Sequence, residues 1–194
     1  MSLITIGHGT LPQADFTALL AEAEVARVVD VRAHPGSRRN PQFRRESMAA
    51  WLPASGVDYR WEPRLGGRRR PVEESPHLGL RDASFRGYAD HMEGDEFRSA
   101  LHGVLAEAGE TTVALMCAES VWWRCHRRLI ADAAMLLHDV VAFHLFPDGR
   151  LVPHVPTEAA RVERAVEPRR VPRIVYDVGE KLPLPALDGA SHGV

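Results

Sequence analysis

The chain has two thiols, Cys117 and Cys125, and the second stands in the run Arg124-Cys125-His126-Arg127. A cysteine reacts as its thiolate, which at neutral pH needs a neighbouring cation or the positive end of a helix. With arginines on both sides, Cys125 is the candidate nucleophile. Three further residues can share catalytic work: Glu119 as base or alternative nucleophile, His8 as proton carrier and Cys117 as a second thiol. Arg32, Arg38 and Arg127 carry planar forks that hold a phosphate or carboxylate by paired hydrogen bonds. Asp30 and His126 complete the candidate binding set.

Each of these residues also has a plainer reading. Asp30 and Arg32 can form an internal ion pair, because a charge at a strand end needs a partner. His8 can cap a helix, and Cys117 can be a small core residue. Cys117, Cys125, His126 and His144 are metal-ligand types, yet the seven residues between the cysteines match none of the common zinc spacings, so no metal is assigned.

These residues depend on the elements that must hold them. Leu3 to Ile6 is an apolar run stopped by Gly7-His8-Gly9, which reads as a buried strand ending in a turn. Phe16, Leu19, Leu20 and Ala23 recur at helical spacing, and Val25 to Val31 reads as a second strand. Strand, helix and strand make a βαβ unit, which implies a parallel sheet covered by helices. A helix carrying Phe43, Met48, Trp51 and Leu52 follows, then a short strand over Val57 to Trp61. Glu62 to Ser84 has no apolar period and reads as a long loop, expected to be an ordered lid. Phe97 to Ala108 is an amphipathic helix, Thr111 to Met116 a strand, Cys125 to Leu137 a helix and Val140 to Leu145 a last strand, followed by a Pro147-Asp148-Gly149 turn. The expectation is one α/β domain over 1–154, with a parallel or mostly parallel sheet between helix layers. A Pro/Arg-rich tail over 155–194 is expected to be extended or partly disordered.

Composition narrows the class. The 194 residues are 45% hydrophobic, enough for one core. No apolar run reaches the length of a membrane span and no signal-like start is present, so the expected place is the cytoplasm, with no membrane partner. Two cysteines are too few for a disulfide framework, so free thiols are expected. A net charge of -2 gives no global attraction to nucleic acid, so any anion binding must be local. Of the 24 basic residues only Lys181 is lysine, and in so arginine-rich a chain a cluster of arginines carries less information.

In its motifs the chain resembles the bacterial and archaeal family called domain of unknown function 488. The resemblance lies in Thr5-Ile6-Gly7-His8, in Val29-Asp30-Val31-Arg32 with Pro35 and Ser37-Arg38, and in Tyr59 with Leu65-Gly66-Gly67. It continues in Ala114-Leu115-Met116-Cys117-Ala118-Glu119, in Cys125-His126-Arg127, and in His144 before Gly149. It implies an α/β fold in which the strand-end residues occur as a set, and it assigns no activity or cofactor. Two positions depart from the family pattern: Gly9 where a serine is usual, and Trp122-Trp123 where the family is more polar. Thr10 can replace the missing hydroxyl, and the tryptophans suggest an aromatic site wall or partner surface. The Asp-Val-Arg strand end is also similar to rhodanese-like and cysteine-phosphatase sites. Those sites hold the nucleophile in a tight loop of backbone N–H groups closed by an arginine; Cys117 to Arg124 has the wrong spacing and no glycine.

The leading expectation is an enzyme acting on a phosphate-bearing small molecule, nucleotide or nucleic-acid end. The alternative is a non-catalytic nucleic-acid-binding module, with Arg60, Arg64, Arg68, Arg69 and Arg70 contacting phosphates and Tyr59 and Trp61 stacking bases. A purely structural polar core is the third reading. His8, Asp30, Arg32, Cys117, Glu119, Cys125, His126 and Arg127 are expected in one cluster, because strand ends of a parallel sheet share an edge. Arg32 is expected to pair with Glu119 or a bound phosphate, and to matter more than the Arg68-Arg69-Arg70 run.

Overall fold

The structure, a computed structural model, describes residues 2–164 and 171–179. Its centre is a six-stranded sheet in the order β3-β2-β4-β1-β5-β6. The strands are β1 (Ser2–Gly7), β2 (Arg27–Asp30), β3 (Asp58–Trp61), β4 (Val113–Cys117), β5 (Val141–Leu145) and β6 (Leu151–Pro153). The first five run parallel and β6 is antiparallel to β5. All five parallel strands therefore end at one edge.

Parallel strands are buried on both faces, so their side chains divide between two cores. Ile4, Ile6, Val28, Ala114 and Met116 meet α1 (Gln13–Glu22) and α2 (Arg45–Ala54) through Phe16, Leu19, Leu20, Met48 and Leu52. Leu3, Val29, Val113 and Leu115 face the other way. There they meet α3 (Ala83–Met92), α4 (Asp95–Glu110) and α5 (Arg127–His138), whose inward residues include Tyr88, Phe97, Val104, Leu129 and Ile130. Among the described residues no helix is long and apolar enough to cross a membrane.

The second strand is shorter than the apolar run Val25 to Val31 suggests. Val25 and Val31 are buried, but they flank the ladder rather than belong to it. Helix α3 is not among the elements expected from the sequence, although Phe85, Tyr88, Ala89 and Met92 recur at i, i+3, i+4 and i+7 on its inward face. It starts at Asp82, whose carboxylate accepts from the Ser84 N–H at 2.7 Å, a standard N-cap. The loop before α3 lies against it. The Leu65 carbonyl accepts from Tyr88 Oη at 2.7 Å, and Asp90 binds the Val72 N–H and the Ser75 hydroxyl. Within the tail, β7 (Ala160–Glu163) and β8 (Arg173–Tyr176) pair antiparallel, and Tyr176 is fully buried in the second core. The tail residues 165–170 and 180–194 lie outside the described residues.

Candidate functional site

Strands β1, β2 and β4 deliver the site to the carboxyl edge. Gly7 pairs in register with Cys117, and the backbone crosses so closely there that a Cβ on Gly7 would lie 2.0 Å from the Glu119 carbonyl oxygen. That missing side chain also makes room for Arg127, whose guanidinium would be 2.7 Å from the same Cβ. Arg127 opens α5 and is 1% exposed. Its Nε donates to Cys125 Sγ at 3.3 Å, one terminal nitrogen donates to Thr5 Oγ1 at 3.3 Å, and the other donates to the Glu119 carbonyl. No carboxylate among the described residues pairs with it. A buried guanidinium without a counter-charge costs several kcal/mol, and the one ionisable acid it touches is Cys125.

Cys125 is 4% exposed and stands just before α5. Its thiol is held well below the ordinary range, first by a hydrogen bond from Cys117 and then, against the opposing effect of burial, by Arg127 and His126. Cys117 moves the opposite way: its proton is held on the Cys125 sulfur, and burial adds to the rise. One thiolate and one thiol result, with Cys125 as the thiolate. Both cysteines are free. His126 turns Nε2 to the Val31 carbonyl at 3.1 Å and Nδ1 to Cys125 Sγ at 3.7 Å. Gly67 allows this, since a Cβ there would lie 2.7 Å from Nδ1. This gives the Leu65-Gly66-Gly67 motif a physical reason.

Cys117, Cys125 and His126 bring their donor atoms within 4.8 Å of one another, a spacing a soft divalent cation can use. The linear spacing of the cysteines says nothing of this, because β4 and α5 bring them together through the fold. Arg127 already places a fixed positive charge on Cys125, which answers the thiolate without a metal.

Arg32 is paired with Asp30, not with Glu119. Its Nε and a terminal nitrogen reach the two carboxylate oxygens at 2.8 and 2.6 Å, and its backbone N–H adds a third bond. The expectation of another partner fails because β2 ends at Asp30. The chain then leaves the pleat, so that Arg32 curls back onto its own strand end instead of projecting across the edge. Tyr59 Oη donates to the same carboxylate at 2.8 Å. His8 lies behind this pair, 3.1 Å from an Arg32 nitrogen and stacked on Phe43 at 4.1 Å. Burial first, and Arg32 second, push its pKa down to about 4, so it is neutral at pH 7. Thr10 is exposed, and Gly9 takes a positive φ of 51°.

A pocket of about 280 Å³ opens over the thiols, lined among others by Arg32, Gly67, Arg68, Cys117, Glu119 and Arg124. It is also lined by Cys125 and His126, so five of the eight residues expected to cluster share this cavity wall. Asp30, His8 and Arg127 stand behind that wall, touching residues that line it or the backbone below. Arg38 is exposed and does not line the pocket. Arg68 and Arg124 do, and their side chains carry no hydrogen bond or ion pair among the described residues. Arg124 stands in the run read from sequence as the cationic surroundings of Cys125, without a binding role of its own. Arg68 belonged to the run read as phosphate contacts of the alternative nucleic-acid-binding module. Arg60 pairs with Glu62 and Glu107, Arg64 with Glu62, Arg69 Nε donates to the Gly66 carbonyl, and Trp61 Nε1 donates to the Arg32 carbonyl, while Arg70 is exposed and lines no part of the pocket. Trp122 stacks on His144 at 3.9 Å, and Trp123, 49% exposed, lines a larger neighbouring groove of about 730 Å³.

Fold and site together define an α/β protein with a buried cysteine–arginine pair beneath a polar pocket at the carboxyl edge of its sheet. The family described as "Domain of unknown function DUF488" matches residues 13–134, and the chain belongs to it. No curated protein and no solved structure matches the chain.

Proposed function

We propose that the protein is a thiolate-dependent enzyme acting on a phosphate-bearing small molecule, nucleotide or nucleic-acid end. The observation that carries this reading is Arg127, a buried cation whose one ionisable contact is Cys125. A fold that holds a thiolate beneath an open pocket maintains a nucleophile, and purely structural cysteines have no need of one. Arg68 and Arg124 supply cationic forks for the anion at the pocket wall, roles given by sequence to Arg32 and Arg38. The α5 N-terminus adds its dipole.

The chemistry divides into two steps. Cys125 Sγ bonds to the electrophilic atom of the bound substrate while the leaving group departs with its bond pair. Glu119, which accepts the Val121 N–H at 3.0 Å through one oxygen and lines the pocket, then takes a proton from a water. The resulting hydroxide displaces the sulfur and restores the thiolate. Cys117 keeps its proton and orients the Cys125 lone pairs. His8 is set behind Arg32 and serves as support for that pair.

The test is a panel of nucleoside phosphate mono- and diesters and sugar phosphates, assayed with parent, Cys125→Ser and Arg124→Ala proteins in the presence of chelator. The expected result is turnover of at least one member by the parent, none by Cys125→Ser, and weakened apparent affinity in Arg124→Ala. Turnover that survives Cys125→Ser, or that appears only after zinc is added, contradicts the reading.

A further inference from the structure

Behind Arg127, away from the pocket, a chain of buried polar groups runs through the second core and has no part in the steps above. It begins at Asp132 on α5, which is 0% exposed and accepts four hydrogen bonds. These come from His154 Nε2 at 2.9 Å, the Thr157 N–H at 2.8 Å, Thr157 Oγ1 at 2.7 Å and Tyr176 Oη at 3.0 Å. His154 Nδ1 lies 2.9 Å from His144 Nε2, and His144 Nδ1 lies 2.6 Å from Thr5 Oγ1. Thr5 Oγ1 in turn faces Arg127. Thr5, His144 and His154 are each no more than 3% exposed.

Asp132 can only accept, so His154 Nε2 carries a proton and donates to it. The Arg127 guanidinium can only donate, so Thr5 Oγ1 accepts from it, and a hydroxyl oxygen has a lone pair for that whichever way the Thr5–His144 bond runs. Burial first, then His154 and Arg127, push the His144 pKa down to about 3, so its ring is neutral. Trp122, stacked on that ring with 9° between planes, holds its orientation. The guanidinium is planar, so three fixed acceptors determine where its Nε points. One is the Glu119 carbonyl, one is Thr5, and the third is the Cys125 sulfur.

We propose that Thr5, His144, His154 and Asp132 are positioning residues for the Cys125 thiolate, acting through Arg127; this rests on the reading of Cys125 given above. The chain aims Nε at the sulfur, and it links the buried cation through hydrogen-bonded side chains to the buried carboxylate of Asp132. None of the four is a catalytic residue, because none reaches the pocket.

The test is the pH profile of iodoacetamide alkylation at Cys125, read by peptide mass spectrometry in the presence of chelator. Parent, Thr5→Val, Thr5→Ser and His144→Gln proteins are compared, with thermal unfolding run alongside to show that each is folded. In the parent the midpoint lies well below the free-thiol value of about 8.5. Thr5→Val keeps the side-chain shape and removes the lone pair, and should raise the midpoint by about one unit, giving roughly 10-fold slower alkylation below both midpoints. His144→Gln should shift it in the same direction, and Thr5→Ser should restore the parent profile. Folded Thr5→Val and His144→Gln proteins with the parent profile overturn the proposal while leaving the thiolate intact. A parent midpoint at or above 8.5 overturns the reading of Cys125 and this proposal with it.

Discussion

At the scale of residues, the site consists of two buried arginines that differ in what neutralises them. Arg32 has Asp30, in a forked pair that is almost wholly enclosed. Arg127 has Cys125. The pairs are not interchangeable: a carboxylate is charged over the whole physiological range, whereas a thiolate exists at neutral pH only because its surroundings favour it. Asp30→Asn keeps the shape and removes the charge, which strands the Arg32 guanidinium beside a neutral His8. The expected cost is about 3–5 kcal/mol, measured by denaturant unfolding, as for breaking a buried ion pair. A loss within 1 kcal/mol would mean that Arg32 reaches solvent or another anion. Sequence named the right residues here and misjudged one pairing, because the point where β2 ends decides which way Arg32 turns.

At the scale of elements, the parallel strands and four of the five helices were legible. Their apolar residues recur at spacings of two faces or one face, as with Phe16, Leu19 and Leu20 or Phe97, Leu101 and Val104. Helix α3 was missed although Phe85, Tyr88, Ala89 and Met92 form a stripe at i, i+3, i+4 and i+7, because that stripe directly follows the Pro- and Gly-rich stretch read as a loop and is interrupted by Gly87. Strand β6, at the sheet edge, has only one half-buried residue in three. The β7–β8 pair is held by what it packs against rather than by its own pattern. Ile174, Val175 and Tyr176 are buried, and Tyr176 Oη reaches Asp132 in the polar chain behind Arg127. Tyr176→Ala should therefore destabilise the whole domain, by about 3–5 kcal/mol in equilibrium unfolding, as for large aromatic truncations in a core. A change below 1 kcal/mol would show that β8 is not part of the cooperative unit.

At the scale of the molecule, parallel topology explains why segments from Arg32 to His126 line one pocket: the parallel strands end at one edge, and the turns after β2 and β4 carry the candidate residues there. The same burial makes the fold sensitive to acid. His8 is lowered to about 4 from an unfolded value near 6.5, so the folded state resists its protonation. Stability is fully present above pH 6.5 and is lost as pH falls toward 4, with His8 accounting for about 3 kcal/mol. Urea unfolding at pH 7 and pH 4.5 should show this loss, and His8→Gln should reduce the difference between the two. An unchanged difference in His8→Gln would place the acid sensitivity elsewhere.

The most direct test of the central claim, a thiolate at Cys125 facing an anion pocket, is to alkylate the native protein at pH 6. The modified cysteine is then identified by mass, with and without inorganic phosphate. The account predicts that Cys125 reacts first, that Cys117 stays protonated and slow, and that phosphate protects Cys125 by occupying the pocket at Arg68 and Arg124. Preferential reaction of Cys117, or alkylation of Cys125 no faster than a free thiol and indifferent to phosphate, would contradict it.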